Sequence, residues 1–343
     1  MFGRKRQEKI LIVKAQGLGD FVGADAAFEA IRDAHKGAQI TLATGPTLAR
    51  LAKAAPYFDV VWADAALDAA DDRKRLVGRI KREKFTRVYD LDNSAESARV
   101  LRGLKPFAPA WSGAAAGASL RYAPDKSAPS LDAGERFLAQ LRVANVRVAD
   151  RAADLRWALS ARKDAANMQP SWYGVAKPYV LLAPASEEAR RWPAGQYARL
   201  ADALKEMGIT PVLVGGVEKQ AIGDHVARRS ASAVNLVGKT DLLQLAALAD
   251  GAVCFVGDET APSRLIASIG CPGLMLIANG GASAHPPRGR AIVTVTANAL
   301  EEIRVEDVMQ TLRNAGHLSA ATAGLNGADG QALPPGGLRA AAS

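Results

Sequence analysis

Ile10-Leu11-Ile12-Val13-Lys14-Ala15-Gln16-Gly17-Leu18-Gly19-Asp20 is an apolar run that breaks on two glycines and hands over to helical spacing at Ala27, Ile31 and Ala34. A second apolar run follows at Ile40 to Ala43, so the opening reads as a βαβ unit. Further strand candidates at Val60 to Trp62 and Val88 to Leu91 enclose a basic amphipathic helix, and this alternation predicts a parallel sheet with helices on its faces. The glycines let the backbone turn tightly and leave Asp20 at the carboxyl edge of the sheet, where α/β folds bind ligands. There the carboxylate serves as a base or caps the helix; spacing alone does not choose.

The same alternation restarts at Tyr179, with strands expected at Val180 to Ala183, Pro211 to Val214, Val234 to Leu236, Val253 to Val256 and Leu274 to Ile277. Asn167 to Lys177 carries Pro170 and Gly174 without a clear period and reads as the joint between two units. Residues 1–166 are therefore expected to form one Rossmann-like domain, 167–178 a linker and 179–314 a second Rossmann-like domain. The Gly-, Ala-, Ser- and Pro-rich stretch from Ala108 to Asp132 is expected to be a long surface loop, and the Ala-, Gly- and Pro-rich residues 315–343 a disordered tail.

With 343 residues, 49% hydrophobic and 23% charged, the chain has ample material for two cores. No run of about 18 uncharged apolar residues occurs, and the basic start, Met1 to Lys9, leads into a strand rather than a secretory apolar region, which predicts a cytoplasmic protein without a membrane span. Cys254 and Cys271 lie in or beside apolar runs and read as reduced, buried thiols. His35, His225, His285 and His317 are scattered, so neither a metal nor another cofactor is expected. The net charge of +9 suits a phosphorylated partner. Nucleic acid is not expected, because the basic residues are spread over helices and aromatics for base stacking are few.

Two later turns carry chemistry. Ala185 and Ser186 end a strand, and Arg190, Arg191, Trp192 and Pro193 lead into the next helix, where paired guanidinium groups suit phosphate; a solvated turn with Trp192 as a core plug is the other reading. Val256-Gly257-Asp258-Glu259-Thr260-Ala261-Pro262-Ser263-Arg264-Leu265 again joins strand to helix, offering backbone N–H groups, the Thr260 hydroxyl and the Arg264 guanidinium to a diphosphate. Two acids there would repel phosphate, so at least one is expected to face sugar hydroxyls or the helix start.

Taken together, in this order and on these elements, these motifs resemble glycosyltransferase family 9, the heptosyltransferases. Ala54-Ala55-Pro56-Tyr57 with Asp59, the Phe85 to Ser94 strand, Glu135 and Arg136, the Val212 to Gly216 strand end with Glu218, and Asn235 to Thr240 add to the resemblance, which spans roughly Lys9 to Leu312. It implies an α/β GT-B fold, with two Rossmann-like domains whose parallel sheets face a central cleft, the first for acceptor and the second for donor. It further implies inverting, metal-free transfer of a heptose or related sugar from an ADP-sugar to a phosphorylated, lipid-linked acceptor of lipopolysaccharide inner-core type, with peripheral contact at the inner membrane face. On that reading Asp20 is the base and Arg190 steadies the leaving diphosphate. Gly19, Ser186, Arg191, Glu218, Glu259, Thr260, Ala261, Pro262 and Arg264 hold the donor.

Several positions depart from the family pattern: Arg190 for lysine, Glu259 for aspartate, Arg264 for histidine, Ser263 for an apolar residue, Asp92 for glutamine, and Ala278-Asn279-Gly280 after the last core strand. They keep open a second reading, a nucleotide-sugar-binding member with altered donor or lost catalysis. A dehydrogenase of similar outline is disfavoured, since Val22 stands where the dinucleotide fingerprint needs its third glycine.

Overall fold

The computed structural model describes residues 7–15, 17–123, 132–161, 165–278 and 291–319. The first half runs β1 (Lys9–Val13), α1 (Leu18–Gly23), α2 (Asp25–Ala34), β2 (Gln39–Ala43), α3 (Ala49–Ala54), β3 (Val60–Trp62), α4 (Ala70–Glu83), β4 (Arg87–Asp90), α5 (Ala95–Leu104), β5 (Ala110–Gly113), β6 (Leu120–Arg121) and α6 (Ala133–Val143). The second half runs β7 (Tyr179–Ala183), α7 (Ala194–Glu206), β8 (Thr210–Leu213), α8 (Gln220–Arg229), β9 (Val234–Asn235), α9 (Leu242–Gly251), β10 (Cys254–Asp258), α10 (Ala261–Ser268), β11 (Gly273–Ala278), β12 (Ile292–Ala297) and α11 (Val305–Asn314). The sheets are ordered β3-β2-β1-β4-β5-β6 and β12-β11-β10-β7-β8-β9, with parallel pairing throughout. Counted within each half, both orders are the doubly wound Rossmann arrangement, which reverses beside its first strand and opens a crevice there.

Strand alternation decides where the core sits. Ile10 and Ile12 of β1 face Phe21, Phe28, Ile31 and α6, whereas Leu11 and Val13 face Leu76, Ile80, Val100 and Leu104 of α4 and α5. In β7, Val180 and Leu182 meet α7 and α11, and Leu181 and Ala183 meet α9 and α10. Each such fully buried aliphatic side chain contributes about 1.5–3 kcal/mol relative to exposure. One apolar cluster runs from the first half into the second without a break, so the halves share a core as well as a tether. Both cysteines are buried and unpaired, and burial pushes the Cys254 thiol up to about 12.

Four expectations need correction. The stretch from Ala108 is no simple loop: Trp111 is buried in β5, and β6 pairs beside it; residues 124–131 lie outside the described set. A sixth strand, β12, closes the second sheet's edge. The joint is longer than 167–178, because the chain turns irregular after α6 and its single 3-10 turns at Arg156–Ser160, Ala166–Met168 and Pro170–Tyr173 all pack on α9 of the second half. The chain also stays packed past Asn314, since Leu318 is 2% exposed against α11's core; residues from 320 on, Met1 to Arg6, His285, Asn279 and Gly280 lie outside the described residues.

The crossing segment is pinned at both ends. Buried Asp25 of α2 accepts hydrogen bonds from Arg151 Nη1 (2.8 Å), Trp157 Nε1 (3.1 Å), Tyr57 Oη (2.9 Å) and the Asp154 N–H (3.0 Å), while the Leu155 N–H donates to the Ser268 carbonyl at the end of α10 (3.0 Å). Arg50 of α3 pairs with Asp241, the N-cap of α9, across the two halves.

Candidate active site

The carboxyl ends of both sheets open onto one cleft of about 510 Å³, and the helices that follow β1 and β10 meet across it, α1 packing directly on α10. Gly17 makes the first turn: its φ of 82° is the left-handed conformation glycine tolerates, and it is the N-cap of α1. No side chain caps that helix. Asp20 is therefore not the helix cap; its side chain stands 51% exposed in the cleft, with the Lys14 ammonium 3.8 Å away. Gly19, one residue earlier, faces Ala261 and Arg264 of α10, and its missing side chain keeps the two helices close.

Beneath Asp20 lies an ionic arrangement. Lys14, 2% exposed at the end of β1, reaches Asp92 Oδ1 at 3.3 Å, and the same oxygen accepts the Ala15 N–H at 3.0 Å. Ser94 Oγ donates to the other Asp92 oxygen at 2.8 Å. The position read only as a departure from the family pattern is thus the partner of the lysine beside the proposed base. Lys14 was legible as a residue at the carboxyl edge of the first strand, the place where such folds act.

In the second half Asp258 sits wholly buried at the end of β10. The Ala185 N–H donates to its Oδ2 at 2.6 Å and the Trp192 N–H to its Oδ1 at 3.0 Å, so this carboxylate fastens both ends of the loop that bears Ser186, Arg190 and Arg191. Burial pushes its pKa up to about 7, against the opposing pull of those two N–H groups. Trp192 is also the core plug that one reading proposed, fully buried with Nε1 donating to the Ile303 carbonyl at 2.8 Å. Arg190 lies on the surface of the cleft, its Nη2 donating to the Glu259 carbonyl at 3.3 Å.

Thr260 is the N-cap of α10 and its hydroxyl accepts the Ser263 N–H at 3.4 Å. Pro262 has no N–H, and the Arg264 N–H goes to the Thr260 carbonyl, which leaves Ala261 as the first-turn donor without a partner among the described residues. Glu259 and Arg264, assigned separately to the donor, hold each other: Arg264 Nη2 donates to Glu259 Oε1 at 2.6 Å, and the Glu259 side chain is only 9% exposed.

The cleft brings together Gly19, Asp20, Ser186, Arg190, Glu218, Glu259, Thr260, Ala261, Pro262 and Arg264. Arg191 stands behind it, folded back so that Nη1 donates to the Ser186 carbonyl at 2.8 Å, a loop brace rather than a lining residue. Asp132, Arg136 and Lys219 also line the space; Asp132 caps α6, and none of the three had been singled out for the site. Among the described residues no cluster of three His, Cys, Asp or Glu side chains is placed to hold a metal ion, and no helix is long and apolar enough to cross a membrane.

Known proteins fit this picture. Residues 73–312 match the family model for glycosyltransferase family 9 (heptosyltransferase). The chain is 32% identical over 117 residues to lipopolysaccharide heptosyltransferase 3 of Escherichia coli K12, a match that spans about a third of either protein (33% of each). It is 23% identical over 328 residues to lipopolysaccharide heptosyltransferase 2 of Salmonella typhimurium, covering 88% of this chain and 92% of that one. Among solved structures, the ADP-heptose lipopolysaccharide heptosyltransferase II of E. coli superposes with a TM-score of 0.77 at 19% identity, covering 91% of this chain and 99% of the other. With two sheets in Rossmann order facing one cleft, and the family model matched from within α4 of the first half to within α11 of the second, this chain belongs to glycosyltransferase family 9, the heptosyltransferases.

Proposed function

We propose that this chain is an inverting, metal-independent glycosyltransferase that moves a heptose or related sugar from an ADP-sugar to a phosphorylated, lipid-linked saccharide of inner-core type. The observation that carries the reading is the single cleft in which Asp20 of the first half faces the α10 start and Arg190 of the second. Family membership supports the heptose class of sugar.

In this reaction Asp20 takes the proton of the acceptor hydroxyl as its oxygen attacks the anomeric carbon. The carbon–oxygen bond to the diphosphate breaks on the opposite face and the diphosphate leaves with the electron pair, so the anomeric centre inverts. Arg190, the Ala261 N–H and the positive end of α10 meet the charge that grows on the leaving group. Arg191 acts one step removed, by holding the Ser186 carbonyl. The acceptor's lipid adds a peripheral role at an anionic membrane, where α4 carries exposed Lys81 and Arg82 at about 1 kcal/mol per surface cation, while Lys74, Arg75 and Arg79 on the same helix are paired with Asp71, Asp72 and Asp64. One observation favours the second reading, altered donor or lost catalysis: the Glu259 carboxylate is already engaged by Arg264.

The test is turnover of ADP-heptose with inner-core acceptor, free or in anionic or zwitterionic vesicles, with and without EDTA, for wild type and Asp20→Asn. The expected result is transfer that survives EDTA, is fastest on anionic vesicles, and falls about 10²–10⁴-fold in the variant with donor affinity kept. Donor binding without transfer in the wild type would establish the second reading; loss of transfer in EDTA would overturn metal independence.

A further inference from the structure

Lys219 lies in the turn between β8 and α8, beside Glu218, and lines the cleft. It is 3% exposed, and its Nζ has no hydrogen-bond partner among the described residues. Such a group is costly to keep, because a buried ammonium without hydrogen bonds loses its hydration and receives nothing in return. Burial accordingly lowers its pKa, with the charges of Glu218 and Asp258 opposing; neither forms an ion pair with it. Gly215 leaves the space the lysine stem occupies: a Cβ there would lie 2.7 Å from Lys219 Cδ, so a side chain at that position would push the stem out of its place.

The charge of the cleft says what the amine is for. Five carboxylate residues line it (Asp20, Asp132, Glu187, Glu218, Glu259) against four cations (Arg136, Arg190, Lys219, Arg264), and Arg264 is engaged by Glu259. A diphosphate entering such a lining needs a counter-charge that no carboxylate has claimed. We propose that Lys219 is a binding residue for the diphosphate of the nucleotide donor, its flexible stem turning the amine from its buried position onto a phosphate oxygen. This rests on the nucleotide-sugar reading above and adds a residue to it. The competing account makes Lys219 a structural counterion of Asp258.

Calorimetry on the full chain with adenosine, AMP, ADP, UDP and GDP separates these, using Lys219→Met and Lys219→Arg beside wild type. Loss of one charge-assisted contact weakens ADP binding about tenfold to hundredfold in Lys219→Met, AMP less and adenosine not at all, with partial recovery in Lys219→Arg. The ligand-free methionine variant melts no lower than wild type, since it removes an unpartnered buried charge. Wild-type ADP affinity in Lys219→Met, or equal loss of adenosine and ADP together with a lowered melting temperature, overturns the proposal. If wild type prefers UDP or GDP and the methionine variant loses that affinity, Lys219 stands and only the adenine assignment falls; if wild type binds no nucleoside diphosphate, the donor reading falls and Lys219 with it.

Discussion

Both halves end their fourth strand on a fully buried aspartate, Asp90 on β4 and Asp258 on β10, yet the two carboxylates organise different distances of chain. Asp90 Oδ1 accepts the N–H groups of Asp92 (3.2 Å) and Asn93 (2.9 Å), its own next turn, and so shapes the short loop that carries Asp92 to Lys14. Asp258 reaches across to the neighbouring strand's loop, to Ala185 and Trp192. Burial raises both, to about 6 and about 7 respectively. The first carboxylate builds the Asp20 side of the cleft locally; the second ties the loop that bears Ser186 and Arg190 to the strand that leads into α10. The same topological position thus serves a local turn in one half and a long-range clamp in the other.

The sharpest way to break this comparison is to remove each acceptor. Asp258→Ala strands two buried N–H groups at about 1–3 kcal/mol each, so it should lower the melting temperature and weaken ADP binding more than tenfold. Asp90→Ala should lower the melting temperature too but leave ADP affinity within about twofold, and reduce turnover instead. Equal loss of ADP affinity in both, measured by calorimetry, would erase the division of labour.

A smaller effect tests the base side. Asp92→Asn keeps an acceptor for the Ala15 N–H but removes the charge that shares Lys14 with Asp20, so the ammonium turns wholly to the base. Turnover should drop roughly tenfold with KM little changed, a cost of about 1.4 kcal/mol in the transition state; an unchanged kcat would mean that Asp92 only shapes its turn.

The smallest concerns pH. Because the folded Asp258 pKa of about 7 lies above the usual 3.8 of an unfolded aspartate, its protonation favours the folded state. That contribution is complete below about pH 4 and is lost as pH rises through about 7. Asp258→Asn cannot titrate, so the melting-temperature advantage of wild type over this variant should shrink between pH 5 and pH 8. About 1 kcal/mol of this term corresponds to roughly 2–4 °C at this domain size. A difference independent of pH would assign the aspartate no titration in this range.

What could be read from the chain follows from the range of each signal. Ile10 to Val13, Gly17 and the repeat of the pattern from Tyr179 are local, and they specified both sheets in outline. Short strands between small residues were lost: Trp111 and Ser112 stand among Gly, Ala and Pro, and Ile292 to Thr296 follow a stretch too rich in Gly and Pro to read as sheet. The lining of the cleft was legible where a glycine turn or helix start marks it, at Gly19, Asp20 and Thr260. It was not legible where the position of a residue depends on partners far along the chain. Nothing near Asp258 announces Ala185 or Trp192, 73 and 66 residues away, and nothing near Lys219 announces that its amine would be left unpaired. Arg191 was misplaced for a related reason, since adjacency to Arg190 says nothing of which way each guanidinium turns.

Helix α10 is eight residues, about 12 Å from end to end. Its first turn faces the cleft and its last residue, Ser268, accepts the Leu155 N–H of the crossing segment. The helix is therefore a short strut, one end in the cleft wall and the other hitched to the strap that joins the halves. Trp157, two residues along that strap and hydrogen-bonded to buried Asp25, fastens it to the first half, so a stretch of a few residues is stitched to both halves at once.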